Sequence, residues 1–142
     1  MILTEFMIFL TDSILYLLLL IFPLYLWGKN KNKLFFYLSS SFLVGVLVYL
    51  LKLIFSIPRP AGAMIKTFSP AFPSLHSALA FFTLGFFFDN KKWRIPLLIY
   101  ACLIAYSRIF LKVHYWPDVI AGAIIGFTIP FLIYQIGVLK KK

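Results

Sequence analysis

The feature that most constrains this chain is a series of apolar segments separated by short basic turns. The segments are Ile14–Trp27, Leu34–Phe55, Ser74–Phe88, Ile95–Leu111 and Val119–Leu139. A membrane-crossing helix needs about 20 apolar residues, so 142 residues have room for five or six crossings and no separate soluble domain. Hydrophobic residues make up 63% of the chain, against about 45–50% in soluble domains. The expected fold is all-α, a polytopic transmembrane bundle of about five helices. It forms a single membrane-embedded domain over residues 1–142.

Two turns of this reading stay open or short. The N-terminal segment either starts its helix near Phe6 and holds Asp12 at the interface, or is capped by Thr11-Asp12-Ser13 with residues 1–10 along the surface. The first residues lack a basic n-region and a small-residue cleavage site, so no cleavable signal peptide is expected. The segment Ser74–Phe88 reaches only roughly 22 Å at 1.5 Å per residue. That is less than the hydrocarbon core of about 30 Å, so the start of this helix is expected to be recessed below the head groups.

The net charge of +10 does not point to nucleic acid, because the basic residues flank apolar segments in small groups. That placement fits anionic lipid and topology. Lys29, Lys31, Lys33, Lys91, Lys92, Arg94 and Lys140 to Lys142 fall on one side, nine of the 14 basic residues. Lys52, Arg59, Lys66, Arg108 and Lys112 fall on the other. The positive-inside rule assigns the first group, and the C-terminus, to the cytoplasm. The second side then faces the periplasm or exterior across the inner (cytoplasmic) membrane. Cys102 is the single cysteine, so no intrachain disulfide forms and no Cys/His zinc set is present.

Against this apolar background the polar groups stand out. Ser107-Arg-Ile-Phe-Leu-Lys-Val-His-Tyr-Trp-Pro-Asp118 places an arginine, a histidine and an aspartate between two apolar segments. Ionisable residues at such positions default to a functional reading. His114 and Asp118 lie four apart, so a carboxylate can hold one imidazole nitrogen and orient the other as a nucleophile; a structural hydrogen-bonded pair is the plainer reading. Lys52, Arg59 and Arg108 offer a point charge and two planar forks to an oxyanion, or alternatively snorkel to lipid head groups. Phe72-Pro-Ser-Leu-His76 reads as a helix start, with Ser74 as N-cap and free backbone N–H groups, including that of Leu75, in the first turn. His76 in that turn can give a proton to a departing oxygen. Both histidines of the chain fall on the side that carries these cations. Together the groups read as phosphoryl transfer with no cofactor. The remaining carboxylates, Glu5, Asp12 and Asp89, form no plausible pair with Asp118 for magnesium, so no metal ligand set is expected.

Lys52-x6-Arg59-Pro60, Pro73-Ser74-x-His76 and Ser107-Arg108-x5-His114-x3-Asp118 resemble, in order, the three signature motifs of the type 2 phosphatidic acid phosphatase (PAP2) superfamily. The motifs lie within 52–60, 73–76 and 107–118, and with their connecting helices cover roughly residues 45–125. The resemblance implies a helical, metal-independent catalytic core. It implies His114 as nucleophile forming a phosphohistidine, Asp118 orienting it, and His76 as the general acid. It also implies that Lys52, Arg59, Ser74, the Leu75 backbone N–H and Arg108 bind the phosphate. Leu75 stands where the family commonly has Gly, which bears on substrate shape, and membrane members usually have six helices where five are counted here.

The expected function is hydrolysis of a lipid phosphate or pyrophosphate monoester, with the bilayer and a membrane lipid as partners and no nucleic acid. Undecaprenyl pyrophosphate, phosphatidylglycerol phosphate and the 1-phosphate of lipid A all place a terminal phosphate at suitable depth. Two alternatives remain: a lipid phosphotransferase, or a non-enzymatic membrane protein that uses the cations to bind or transport an anion. Oligomeric state is not addressed by the sequence.

Overall fold

The computed structural model describes residues 2–27 and 29–135. The expected basic tail, Lys140 to Lys142, and the last residues of the fifth expected crossing lie outside the described residues. The helices are α1 (Ile2–Phe9), α2 (Leu15–Trp27), α3 (Lys31–Phe55), α4 (Leu75–Phe86), α5 (Lys91–Phe110) and α6 (Trp116–Gln135). A π-helical turn, Leu10–Ile14, joins α1 to α2 in one rod. Four helical stretches among the described residues are long and apolar enough to cross a membrane: Ile2–Leu26, Lys31–Phe55, Lys91–Phe110 and Trp116–Ile133. With α4 they make the expected transmembrane bundle of five helical bodies.

The boundaries differ from expectation for a local reason. The helices α3 and α5 start at Lys31 and Lys91, before the apolar runs, because Asn30 and Asn90 cap them. The Asn30 side chain accepts from the Lys33 N–H at 3.1 Å and that of Asn90 from the Lys92 N–H at 3.1 Å, satisfying amide donors that a helix start leaves free. At the N-terminus neither expected arrangement holds. The helix already runs at Ile2, and Thr11-Asp12-Ser13 does not cap it. Instead the buried Thr11 hydroxyl donates back to Met7 O and Ile8 O, both at 3.0 Å, and the chain continues through the π turn.

The short helix α4 is the axis of the bundle. Twelve residues extend it only roughly 18 Å, but it has no need to span. All of its residues except Leu75, His76 and Phe81 are buried. It is apolar over most of its surface because protein covers most of it. The phenol of Tyr37 on α3 lies 3.2 Å from the Thr83 hydroxyl on α4, and Tyr37, Phe82, Val44, Val48 and Ile104 are fully buried about it.

The contact of α4 with α6 is the most extensive in the bundle, and glycines permit it. A Cβ on Gly122 would run into Ser74 O, and one on Gly126 into Ala78 O. A Cβ on Gly85, on the facing helix, would lie 2.7 Å from Phe127 O. The Gly122-x-x-x-Gly126 pair thus brings two backbones into direct contact, as small residues do between membrane helices.

Candidate active site

Chain connectivity gathers the three polar clusters at one end of the bundle. Lys52 lies in the last turn of α3 and Arg108 in the last turn of α5. Ser74 caps the start of α4, and Asp118 lies in the first turn of α6. Arg59 and His114 stand on the loops between these ends. Lys52, Ser74, Arg108, His114 and Asp118 are all buried.

Asp118 and His114 form the tightest part. Asp118 Oδ2 accepts the Tyr115 N–H at 2.8 Å and lies 3.3 Å from His114 Nδ1. The first bond is half of a capping box, a carboxylate in the first helical turn reaching back to the residue before the helix. It fixes the carboxylate, and the carboxylate then fixes the ring. With Nδ1–H directed to Asp118, the lone pair of Nε2 is on the opposite edge. There Arg59 Nη1 stands 3.3 Å away and also donates to Val113 O at 2.7 Å. Burial first, then the positive charges of Arg59, Lys52 and Arg108, push the His114 imidazole far below its ordinary range, to about 2. The ring is therefore neutral and nucleophilic near neutral pH.

The loop from Ile57 to Pro73 is fastened by the same cations. Arg59 Nε donates to Ser69 O at 2.8 Å and Nη2 to Ser69 Oγ at 3.1 Å. Lys52 Nζ donates to Pro70 O at 2.7 Å and Ala71 O at 3.1 Å, which leaves one of its three N–H donors. Pro60 favours extended backbone at Arg59, and burial lowers the guanidinium pKa from its usual value. Met64 N–H donates to Leu111 O at 3.0 Å, tying the loop to the segment that carries His114. At its tip, Phe68 is fully exposed.

Arg108 differs from the other two cations. Its Nε and Nη1 are buried and have no hydrogen-bond partner among the described residues. Guanidinium N–H donors match the oxygens of a phosphate, and leaving two of them unpaired in a buried site is costly. Ser74 adds a cradle. Its N–H donates to Asp118 O at 2.9 Å, and its hydroxyl accepts weakly from the Ser77 N–H at 3.4 Å. The side chain of Leu75 lines an apolar groove of about 490 Å³ with Leu19, Phe42, Val46, Tyr49 and Leu79. Leu75 therefore faces this apolar groove, one residue along the chain from Ser74.

The PAP2 superfamily model matches residues 33–142. This chain belongs to the PAP2 superfamily. An undecaprenyl-diphosphatase, BcrC of Bacillus subtilis (strain 168), is 30% identical over 145 residues, covering 94% of this chain and 75% of that protein. The lipid A 4'-phosphatase of Bacteroides thetaiotaomicron is 40% identical over 70 residues, 46% of this chain and 30% of that protein. Among solved structures, the transmembrane PAP2 type phosphatidylglycerolphosphate phosphatase of Bacillus subtilis superposes with a TM-score of 0.83 at 26% identity, covering 99% of this chain and 78% of that one. Aquifex aeolicus LpxE superposes with a TM-score of 0.75 at 29% identity, covering 94% and 84%. The chain is a multi-pass membrane phosphatase of the PAP2 superfamily.

For this PAP2 protein, Asp118, His114 and Arg59 are joined by direct contacts, and Lys52, Arg108 and His76 lie near enough for their charges to act on the His114 ring. Two neighbours were missing from the sequence reading. Ser69 anchors Arg59 through its carbonyl and hydroxyl. Asp12, taken as an interface or capping residue, lies with Oδ1 3.7 Å from His76 Nε2. Tyr16 stands edge-on to the same imidazole, centroids 6.3 Å apart. A carboxylate inside an otherwise apolar crossing was the available signal for Asp12; Ser69 carried none.

Proposed function

We propose that the chain hydrolyses the terminal phosphate of a membrane lipid phosphate or diphosphate, through a phosphohistidine, on the outer face of the cytoplasmic membrane. The observation that carries this reading is the alignment of Asp118, His114 and Arg59: a carboxylate behind the ring and a cation in front of its Nε2. In the first half-reaction the Nε2 lone pair of His114 forms a bond to phosphorus. The bond from phosphorus to the lipid oxygen breaks, and that oxygen takes its electron pair and a proton from His76. Arg59, Lys52, Arg108 and the first-turn N–H groups of α4 stabilise charge on the non-bridging oxygens. In the second half a water oxygen attacks phosphorus, its proton passes to His76, and the electron pair of the P–N bond returns to His114.

Two features support a lipid substrate. The site sits at the buried start of α4, and an apolar groove lined by Leu75 lies beside it. A hydrocarbon-anchored phosphate reaches such a place by lateral diffusion. A polyprenyl diphosphate heads the substrate panel, since the Bacillus relative that aligns with 94% of the chain is an undecaprenyl-diphosphatase. Phosphatidylglycerol phosphate follows, from the likeness to its phosphatase. Placement of the site outside rests on the basic turns at the opposite end of the bundle.

The test is phosphate release in EDTA-treated detergent micelles from undecaprenyl diphosphate, phosphatidylglycerol phosphate, phosphatidic acid and lipid A. Wild type is expected to cleave at least one of them, and His114→Ala none. An alkaline quench of ³²P-labelled substrate should leave label on wild type and not on His114→Ala. Full activity in His114→Ala defeats the mechanism, and silence of wild type on every lipid favours an anion-binding role. A Lys66→Cys variant should react with an impermeant maleimide added outside intact cells; protection there would reverse the orientation.

A further inference from the structure

The first helical rod is regular except at one turn, and that turn carries the rod's single acidic residue near the site. Leu10–Ile14 is π-helical. Such a turn inserts one residue into the helical repeat and re-aims the side chains around it, and π turns are frequent at functional sites. Here Thr11 turns inward, its hydroxyl satisfying two carbonyls of the preceding turn. Asp12 is thereby directed at His76, with Oδ1 3.7 Å from Nε2. Tyr16, the next residue on that face, closes the ring's other side. Nothing in the packing of the rod requires a carboxylate at this depth, and an acidic side chain in an apolar segment is costly unless it meets a partner.

We propose that Asp12 is a positioning residue for His76, holding it in the protonated form that the leaving oxygen needs. The inference rests on the reading above, in which His76 is the general acid. The groups acting on His76 are Asp12 from the π turn, Tyr16 from α2, Arg108 from α5, and Arg59 and His114 from the loops. Burial acts most strongly against an imidazolium here, and the two guanidinium groups repel it as well. Among the described residues that act on His76, Asp12 is the carboxylate that offsets them. The site thus contains two carboxylate–histidine pairs with opposite tasks. Asp118 and His114 have side-chain exposures of 3% and 2%, and keep a neutral ring oriented for attack. Asp12 and His76 have exposures of 53% and 19%, and the carboxylate is placed to offset what disfavours a proton on this ring. During the first half-reaction the proton leaves His76 for the lipid oxygen as the P–O bond breaks. It is replaced from the attacking water in the second, and Asp12 keeps its own charge throughout.

The test is the pH dependence of kcat and kcat/KM for purified full-length enzyme on a lipid phosphate that wild type cleaves. The basic limb reports loss of the proton from His76. Opposite charges within 4–6 Å move such a limb by about 1–3 units, and the exposure of Asp12 places the effect near the low end. Asp12→Asn is expected to move the basic limb about one unit toward lower pH and reduce kcat several-fold at pH 8, with KM unchanged. Asp12→Ser should give the same displacement, so the result does not hang on the folding of one variant. Asp12→Glu should restore most of the limb, which a purely structural role would not predict. A basic limb unmoved in both Asp12→Asn and Asp12→Ser overturns the proposal. His76→Gln, run in parallel, separates the two levels. If it is inactive while the Asp12 variants match wild type, only the role of Asp12 fails. If His76→Gln itself turns over normally, the general-acid reading fails first.

Discussion

Arg59 Nη1 and His114 Nε2 lie 3.3 Å apart, so the edge of the ring away from Asp118 faces a guanidinium rather than a proton acceptor. The same guanidinium is anchored at Ser69 and Val113. One side chain therefore fixes both the loop and the surroundings of the His114 ring. Arg59→Gln is expected to lower kcat about 100-fold to 1,000-fold, the usual cost of a lost oxyanion donor. Ser69→Ala removes only the bond to Nη2 and should cost far less. Phosphate-release kinetics on the two variants check this, and an Arg59→Gln enzyme within threefold of wild type would contradict it.

Burial and three cations depress the His114 pKa to about 2, while an unfolded chain protonates the ring near 6.5. Below about pH 6.5 the unfolded state therefore takes up a proton that the folded site refuses. This contribution to stability is intact above that pH and declines steadily as pH falls toward the folded value. Thermal unfolding in detergent should show a lower midpoint at pH 5 than at pH 7.5. In His114→Gln the difference between the two pH values should shrink. An equal slope in both proteins would show that the drop comes from other groups.

The unpartnered Nε and Nη1 of buried Arg108 give a different signature. An oxyanion that pairs with them stabilises the folded form by mass action. Millimolar inorganic phosphate or orthovanadate should raise the unfolding midpoint of wild type. Arg108→Met fills similar space without the donors, and its midpoint should not respond. A response of equal size in Arg108→Met would remove Arg108 from the anion site.

At the contact of α4 with α6, Gly126→Ala sets a methyl against the backbone of Ala78. Overpacking of this kind costs about 1–3 kcal/mol, and because Ser74 donates to Asp118 across the same contact, activity should fall with stability. Gly45→Ala is the control: a Cβ there meets nothing within 4 Å. It removes a mid-helix glycine, a change worth about 0.5–1 kcal/mol in favour of the helix. Opposite shifts in the unfolding midpoint are expected, and a harmless Gly126→Ala would contradict the packing.

Much of the site was legible because ionisable side chains are rare in an apolar sequence. Lys52, Arg59, His76, Arg108, His114 and Asp118 stand out against their surroundings, and alternating helix directions put them at one end. Asp12 was equally conspicuous but could not be placed. A regular helix turns roughly 100° per residue, and the inserted residue of the π turn shifts every face before it. Helix starts at Lys31 and Lys91 were missed because the apolar runs begin later than the Asn30 and Asn90 caps. The role of Ser69 was invisible because its partner lies ten residues away across a folded loop. That α4 is short was legible from its sequence, whereas its enclosure by the other helices required the glycines at 122 and 126 to be seen in contact.

The glycine contact has a further consequence for how this enzyme can be altered. On one flank of α4, backbone presses on backbone, and Ser74 and Asp118 are joined across it. About 100° round the helix, Leu75 and Leu79 face the groove toward Phe42, Val46 and Tyr49. On the function proposed above, the chemistry and the contact with the hydrocarbon tail would fall on separate flanks of a single twelve-residue helix. Substitutions at Phe42, Val46 or Tyr49 should then change lipid preference while the phosphate site keeps its dimensions.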